Sequence, residues 1–242
     1  MNMYSNRGFI FDTETHKLHG DIIEAGYIGI DVFDDGFLLK LSNYRFNKRY
    51  KPSEPIDLSA MAVHLIVDED LVNAPPFTDF KFADGVNPEY LIGHNIDYDV
   101  DAITRAGYDT SHIKRICTLA MSRYLWPQLE SHKLSVLALY LSENRSQTAH
   151  ELRFAHCATQ DCDTTFEVLK AICQQRQIKS IEELYKFSEL ARTPTHIFYG
   201  KYKGYAISDL PDQALDDLIE KSDGFLLSSL RTESFRRNEL PF

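Results

Sequence analysis

The chain has 242 residues, 43% of them hydrophobic, enough to bury a full core in one ordinary domain with a small addition or in two compact ones. No apolar run approaches a membrane span and the N-terminal MNMYSNRG lacks a secretion signal, so a soluble cytoplasmic protein with no membrane partner is expected. The formal net charge of −10 argues against a broad, non-specific nucleic-acid surface, which needs lysine and arginine to neutralise phosphates, yet leaves room for an enzyme whose site is locally different. Cys117, Cys157, Cys162 and Cys173 show no paired CxxC spacing, so neither a zinc ribbon nor a disulfide framework is indicated and buried reduced thiols are expected.

The elements follow in chain order. Residues 8–15, GFIFDTET, begin as a buried strand, and residues 22–33 and 37–41 are rich in strand formers around the turn Asp34-Asp35-Gly36, which predicts an antiparallel hairpin. A proline-rich irregular stretch follows, with a short helix around 58–63. Residues 90–93 read as the next strand, 98–106 as a helix stopped by Gly107, and 114–118 as a fifth short strand before a helix that ends near Pro127. The apolar stretch 134–141 precedes a long helical pattern over about 155–173, in which Ala158, Asp161, Thr165 and Leu169 fall on one stripe. Three strands first and alternating elements later imply an α/β fold with a mixed sheet covered by helices. Ser180-Ile-Glu-Glu183 fits a helix-starting capping box, so a domain over 1–178 and a small C-terminal unit over 179–242 are expected.

The first strand ends on two acids, Asp12 and Glu14. Positions two apart on a strand share a face, so both carboxylates can meet one cation; a solvated strand end explains them equally well. Two further acidic stations occur at element junctions, His94-Asn95-Ile96-Asp97-Tyr98-Asp99 and His156-Cys157-Ala158-Thr159-Gln160-Asp161. In order and spacing, Asp-x-Glu, His-Asn-x-x-x-Asp and His-x-x-x-x-Asp resemble the three motifs of the DEDDh 3′–5′ exonucleases, over roughly the first three-quarters of the chain. Residues 60–66, 116–127 and 132–137 are similar to exonuclease X-like members of that DnaQ-like family, as are the C-terminal stretches 198–204 and 208–211.

The resemblance implies an RNase H-like fold with a five-stranded mixed sheet and a small C-terminal α/β extension. It also implies two Mg²⁺ or Mn²⁺ ions and release of nucleoside 5′-monophosphates from a nucleic acid 3′ end, with DNA preferred and RNA as the alternative, in DNA repair or end processing. By the same resemblance Asp12, Glu14, Asp99 and Asp161 are the metal-binding carboxylates and His156 the general base. Thr15 and Leu18 would meet the terminal nucleotide, with His64, His94 and Asn95 shaping the pocket, although turn formation, core packing and helix capping account for these five as well. The implied chemistry is coherent: hard divalent ions take oxygen ligands, and a neutral histidine near its ordinary pKa of about 6.5 can accept a proton near neutral pH.

Helical geometry allows only one acid of each close pair to face the site, and the resemblance selects Asp99 and Asp161. Positions two apart on a helix diverge by about 200°, so Asp163 cannot aim where Asp161 does, nor Asp97 where Asp99 does. Lys17 stands where many relatives have glycine after the acidic pair, offering a phosphate contact or a changed turn. The run Tyr44–Lys51 and the cluster Lys201-Tyr202-Lys203 are weaker candidates for gripping a strand, against readings as a solvated strand end and an exposed hairpin. A non-catalytic binding module that keeps the fold is the competing class, and a repair or replication protein is a candidate partner.

Overall fold

The computed structural model describes residues 7–154 and 157–239. Strands β1 (Arg7–Thr15), β2 (Ile22–Val32) and β3 (Leu38–Arg49) form an antiparallel meander. Gly36, at φ +83°, takes the left-handed turn between β2 and β3 that a side chain would resist. After the short helix α1 (Leu58–His64), strand β4 (Tyr90–Gly93) returns parallel to β1. Helix α2 (Ile96–Arg105) then leads to β5 (Lys114–Cys117), parallel to β4. The sheet order is β3-β2-β1-β4-β5, the mixed five-stranded arrangement expected from the sequence.

Strand alternation sends β1 side chains into two cores. Phe9 and Phe11 pack with Phe80, Phe82, Val100 and Ile103 under α2. Ile10 points the other way, toward helices α3 (Thr118–Leu125), α4 (Leu134–Leu141) and α6 (Ala158–Arg176). A short helix α5 (Arg145–Glu151), which no expectation covered, joins α4 to the residues before α6.

Helix α7 (Ile181–Ala191), which begins beyond the expected boundary at 178/179, buries Ile181, Leu184, Phe187 and Ala191 in the same core as Ile10 and Trp126. Its Ser188 hydroxyl also accepts the Cys117 amide at 2.8 Å, tying α7 to the end of β5. The capping box is present in a shifted form: Ser180 Oγ accepts the Glu183 amide, while Glu183 accepts the amide of Lys179. A separate small core of Ile197, Ile207, Leu210, Leu215, Leu226 and Leu230 begins after α7 and holds α8 (Asp212–Lys221) and α9 (Gly224–Glu239). The α/β character expected of this extension is reduced, among the described residues, to one antiparallel bridge between His196 and Ala206. No helix among the described residues is long and apolar enough to cross a membrane.

Candidate active site

Asp12 and Glu14 leave the same face of β1, opposite Thr13 and Thr15, as strand alternation requires. Asp161 meets them from the first turn of α6, and carboxylate oxygens of the three lie within 4.8 Å of one another. The close approach of α6 to the sheet depends on Gly26, the residue opposite Asp12 on β2: a Cβ there would sit 2.9 Å from the backbone of Ala158 and Thr159. The start of α6 is then fixed by Glu24. This buried carboxylate, opposite Glu14 on β2, accepts the Ala158 amide at 2.9 Å and is flanked by Arg49 and Asn47. Helix N-termini favour an acid at this point because their first amides lack acceptors.

Asp99 comes from the other side of the sheet. Gly93 lets β4 end hard against Phe11, where a Cβ would sit 3.0 Å from the Phe11 carbonyl. Asn95 follows at φ 79°, and α2 starts at once. Asp99 is buried on that helix and accepts both the backbone amide and the hydroxyl of Thr13, at 2.9 and 2.8 Å. It stands outside the three-oxygen group and still acts on Asp12 electrostatically. The decoys are employed elsewhere: Asp163 binds Lys40 and Arg45, and Asp97 binds Arg192 and Arg115.

Burial and mutual repulsion make these acids hard to ionise. Burial first, then Asp99, Glu14 and Asp161, raise Asp12 well above the ordinary carboxylate range. Glu14 is pushed up to about 8 by burial and then by Asp161, Glu24 and Asp99. Burial also lifts Asp99 to about 7, against the opposing pull of the two Thr13 hydrogen bonds. Such a cluster, held on rigid elements, is a site for positive charge.

The five substrate-contact candidates divide. Leu18 is 78% exposed at the tip of the turn after β1, free to meet a base. Thr15 is buried, donating to the Lys17 carbonyl and accepting from the Tyr98 hydroxyl, so it builds that turn. Lys17 pairs with Glu54. Asn95 is exposed and makes no side-chain cap, so the capping explanation is not realised. His94 is fixed on both ring nitrogens: Nε2 donates to the His132 carbonyl at 2.8 Å and Nδ1 faces Thr118 Oγ1 at 3.1 Å. Burial lowers His94 to about 4, so it is neutral at physiological pH and braces the β4–α3 junction. His64 is buried at the end of α1, its Nδ1 accepting the Ile66 amide. His156 lies outside the described residues. Sequence reasoning missed Glu24, whose only signal was one charge inside an apolar strand.

Among the weaker candidates, Arg45 and Arg49 of β3 are taken up by Asp163 and Glu24, and Lys203 by the Glu130 carbonyl. The four cysteines are free thiols; Cys117, Cys162 and Cys173 are buried as expected, while Cys157 is half-buried.

The exonuclease family model (RNase_T) matches residues 9–169, which span every described acid of the site. The chain belongs to this family. Exodeoxyribonuclease 10 of Escherichia coli K12 is 28% identical over 204 residues, 84% of this chain and 85% of the relative. The DNA polymerase III epsilon subunit of the same organism is 27% identical over 167 residues, 62% of this chain and 67% of the relative. Among solved structures, exonuclease X in complex with 5′-overhanging duplex DNA shares the fold at a TM-score of 0.53 and 23% identity, over 74% of this chain and 98% of that one. The protein is therefore a DnaQ-like 3′–5′ exonuclease, and this family's chemistry depends on divalent metal.

The residues present fit such an ion. All donors are carboxylate oxygens, as hard cations prefer, and bonds of about 2.1 Å to one ion allow ligand oxygens up to about 4.2 Å apart. The three carboxylates, within 4.8 Å of one another, are grouped at about that scale. Cationic charge would also offset the burial and mutual repulsion that raise Asp12 and Glu14.

Proposed function

We propose that the protein is a 3′–5′ exodeoxyribonuclease that releases nucleoside 5′-monophosphates, with Asp12, Glu14, Asp99 and Asp161 holding two Mg²⁺ or Mn²⁺ ions and His156 as general base. The convergence of Asp12, Glu14 and Asp161 at the end of β1 carries this reading. Preference for DNA is supported by the exodeoxyribonuclease relative, which aligns over most of both chains.

When bound, the ions supply Lewis acidity and charge neutralisation at the scissile phosphate. The chain's own residues do the rest. Leu18, exposed in the turn after β1, wedges against the terminal base, and Asn95 and His94 define the wall at the β4–α2 junction. Glu24 and Gly26 fix the start of α6, and with it the bearing of Asp161. His156 takes the proton from water as the water oxygen bonds to phosphorus. The bond from phosphorus to the neighbouring 3′ oxygen breaks, the phosphate leaves on the released nucleoside 5′-monophosphate, and that oxygen takes a proton from solvent to become the new 3′-hydroxyl of the shortened strand. Thr15 holds the turn that presents Leu18, and His64 helps to shape the pocket. The setting we infer is DNA end processing or repair in the cytoplasm, alone or beside a replication protein.

The test is digestion of 5′-labelled single-stranded DNA and RNA of matched sequence with Mg²⁺, Mn²⁺ or EDTA, using Asp12→Ala to exclude a contaminant. Metal-dependent shortening from the 3′ end, faster on DNA, is the expected result. A faster RNA ladder would replace the substrate assignment, and metal-independent shortening would refute the site.

A further inference from the structure

A second cleft, with a cavity volume of about 460 Å³, lies between α3 and the C-terminal extension. That volume falls in the range of small-molecule sites. The last residues of β5 and the start of α3 form one wall, and residues 194–199 with the first turn of α9 form the other. Asn95 and Asp97 line its edge, so it opens beside the β4–α2 junction while excluding Asp12, Glu14 and Asp161.

Arg123 sets the chemistry of this cleft. Arg7, Arg115, Arg192 and Arg237 are partly buried, and each pairs with a carboxylate. Arg123 is partly buried as well, and among the described residues it has no hydrogen bond or ion pair. Its guanidinium lies over the Phe198 ring at 4.0 Å from the centroid. Desolvation without an anion is unfavourable, and burial lowers the Arg123 pKa accordingly. A planar fork of donors held against a ring and facing a cavity matches a phosphate group.

The remaining lining suits a nucleobase. Tyr199 and Phe225 are large rings left 40% and 53% exposed on the cleft wall. Arg192, already paired with Asp97, extends toward Phe225 at 5.8 Å from its centroid, and Lys221 adds a cation at the rim. Exposed rings interleaved with cations recognise a phosphate joined to a flat π-face.

We propose that this cleft is a second nucleotide-binding site, in which Arg123 holds a phosphate and Phe225 or Tyr199 stacks on the base. The occupant is a nucleotide unit, either a free mononucleotide or a unit of a strand. The inference goes beyond the exonuclease reading and does not depend on it.

The test uses the full chain carrying Asp12→Ala, in EDTA, so that nothing is hydrolysed and the remaining site acids repel phosphate. Binding of dAMP and inorganic phosphate is measured by calorimetry, and binding of a fluorescent twelve-nucleotide oligo-dT by anisotropy. Adding Arg123→Ala should weaken dAMP or oligonucleotide binding about tenfold or more, and Phe225→Ala several-fold, with phosphate binding weaker than either nucleotide. Arg123→Lys keeps the charge and guards against misfolding, and it should lose less than Arg123→Ala. Tighter oligonucleotide binding that depends on Arg123 assigns the cleft to a strand; tighter dAMP binding assigns it to free nucleotide. No binding of either probe at millimolar concentration, or binding unchanged by Arg123→Ala and Phe225→Ala, overturns the proposal. Because the readout needs neither metal nor turnover, failure of the cleft is distinct from failure of the exonuclease assay.

Discussion

Glu14→Gln tests whether the acid cluster is built for positive charge. In the metal-free protein Glu14 is raised from its ordinary 4.5 to about 8 by burial and then by Asp161, Glu24 and Asp99. A folded-state pKa above the unfolded one means that the neutral acid favours folding. That contribution is complete below about pH 4.5 and is lost as pH rises to about 8. At about 1.4 kcal/mol per pH unit, its upper limit is about 5 kcal/mol, of which about 3 kcal/mol falls between pH 5.5 and 8.5. Asp12 and Asp99 are raised in the same direction and add to the slope. Urea unfolding in EDTA at these two pH values should show the wild type less stable at pH 8.5 by about 3 kcal/mol or more. Glu14→Gln, which cannot ionise, should lose much of that slope and be the more stable protein at pH 8.5. Mg²⁺ or Mn²⁺ at a hundredfold over its dissociation constant should return about 2.7 kcal/mol to the wild type and less to the variant. An equal pH slope in both proteins would refute the electrostatic account, and a metal effect unchanged by Glu14→Gln would remove Glu14 from the ligands.

Three further outcomes follow from the geometry. Asp161→Asn should cut kcat by about a thousandfold or more, whereas Asp163→Asn, two positions on and paired with Lys40 and Arg45, should stay within about threefold and cost at most about 1 kcal/mol; matched steady-state assays decide between them. Gly26→Ala should destabilise by about 1–3 kcal/mol in thermal unfolding, since the new methyl meets backbone of Ala158 and Thr159. Glu24→Ala should lower kcat with little change in KM by freeing the α6 N-terminus, while Glu24→Gln, which keeps an acceptor for the Ala158 amide, should retain most of the rate; equal losses in the two variants would show that charge, and not positioning, is what Glu24 supplies.

The order of elements was legible because strand and helix periods are local properties. The β1 acids, the hairpin turn at Gly36 and the stripe of α6 all follow from spacing along one segment, and the strand and helix expected on either side of Gly93 appear within two residues of their predicted ends. That Asp97 and Asp99, or Asp161 and Asp163, cannot both aim at one site was legible for the same reason, since a turn of about 200° needs no tertiary information, while the choice within each pair came from the family resemblance. Glu24 was not legible. Its meaning depends on cross-strand register, which places it opposite Glu14 and beneath the Ala158 amide, and register appears only when β1 and β2 are paired. The packing of α7 was not legible on similar grounds: a capping box marks where α7 starts and carries no information about which core Leu184 and Phe187 enter.

The two anionic contacts of β2 and β1 point to one design in which the start of α6 is the part that must be placed accurately. Asp12 and Glu14 are fixed by a strand in the middle of the sheet, and Asp99 is fixed by two bonds to Thr13 of that same strand. Asp161, like Asp99, arrives on a helix outside the sheet, and packing of a helix on a sheet tolerates small slides. Gly26 removes the spacer that would hold the helix off, and Glu24 supplies a directional bond that packing lacks. A chain of net charge −10 thus spends a buried carboxylate beside its acidic site, at the cost of raising Glu14 further, because an acceptor for a helix amide fixes position where an apolar side chain would fix only distance.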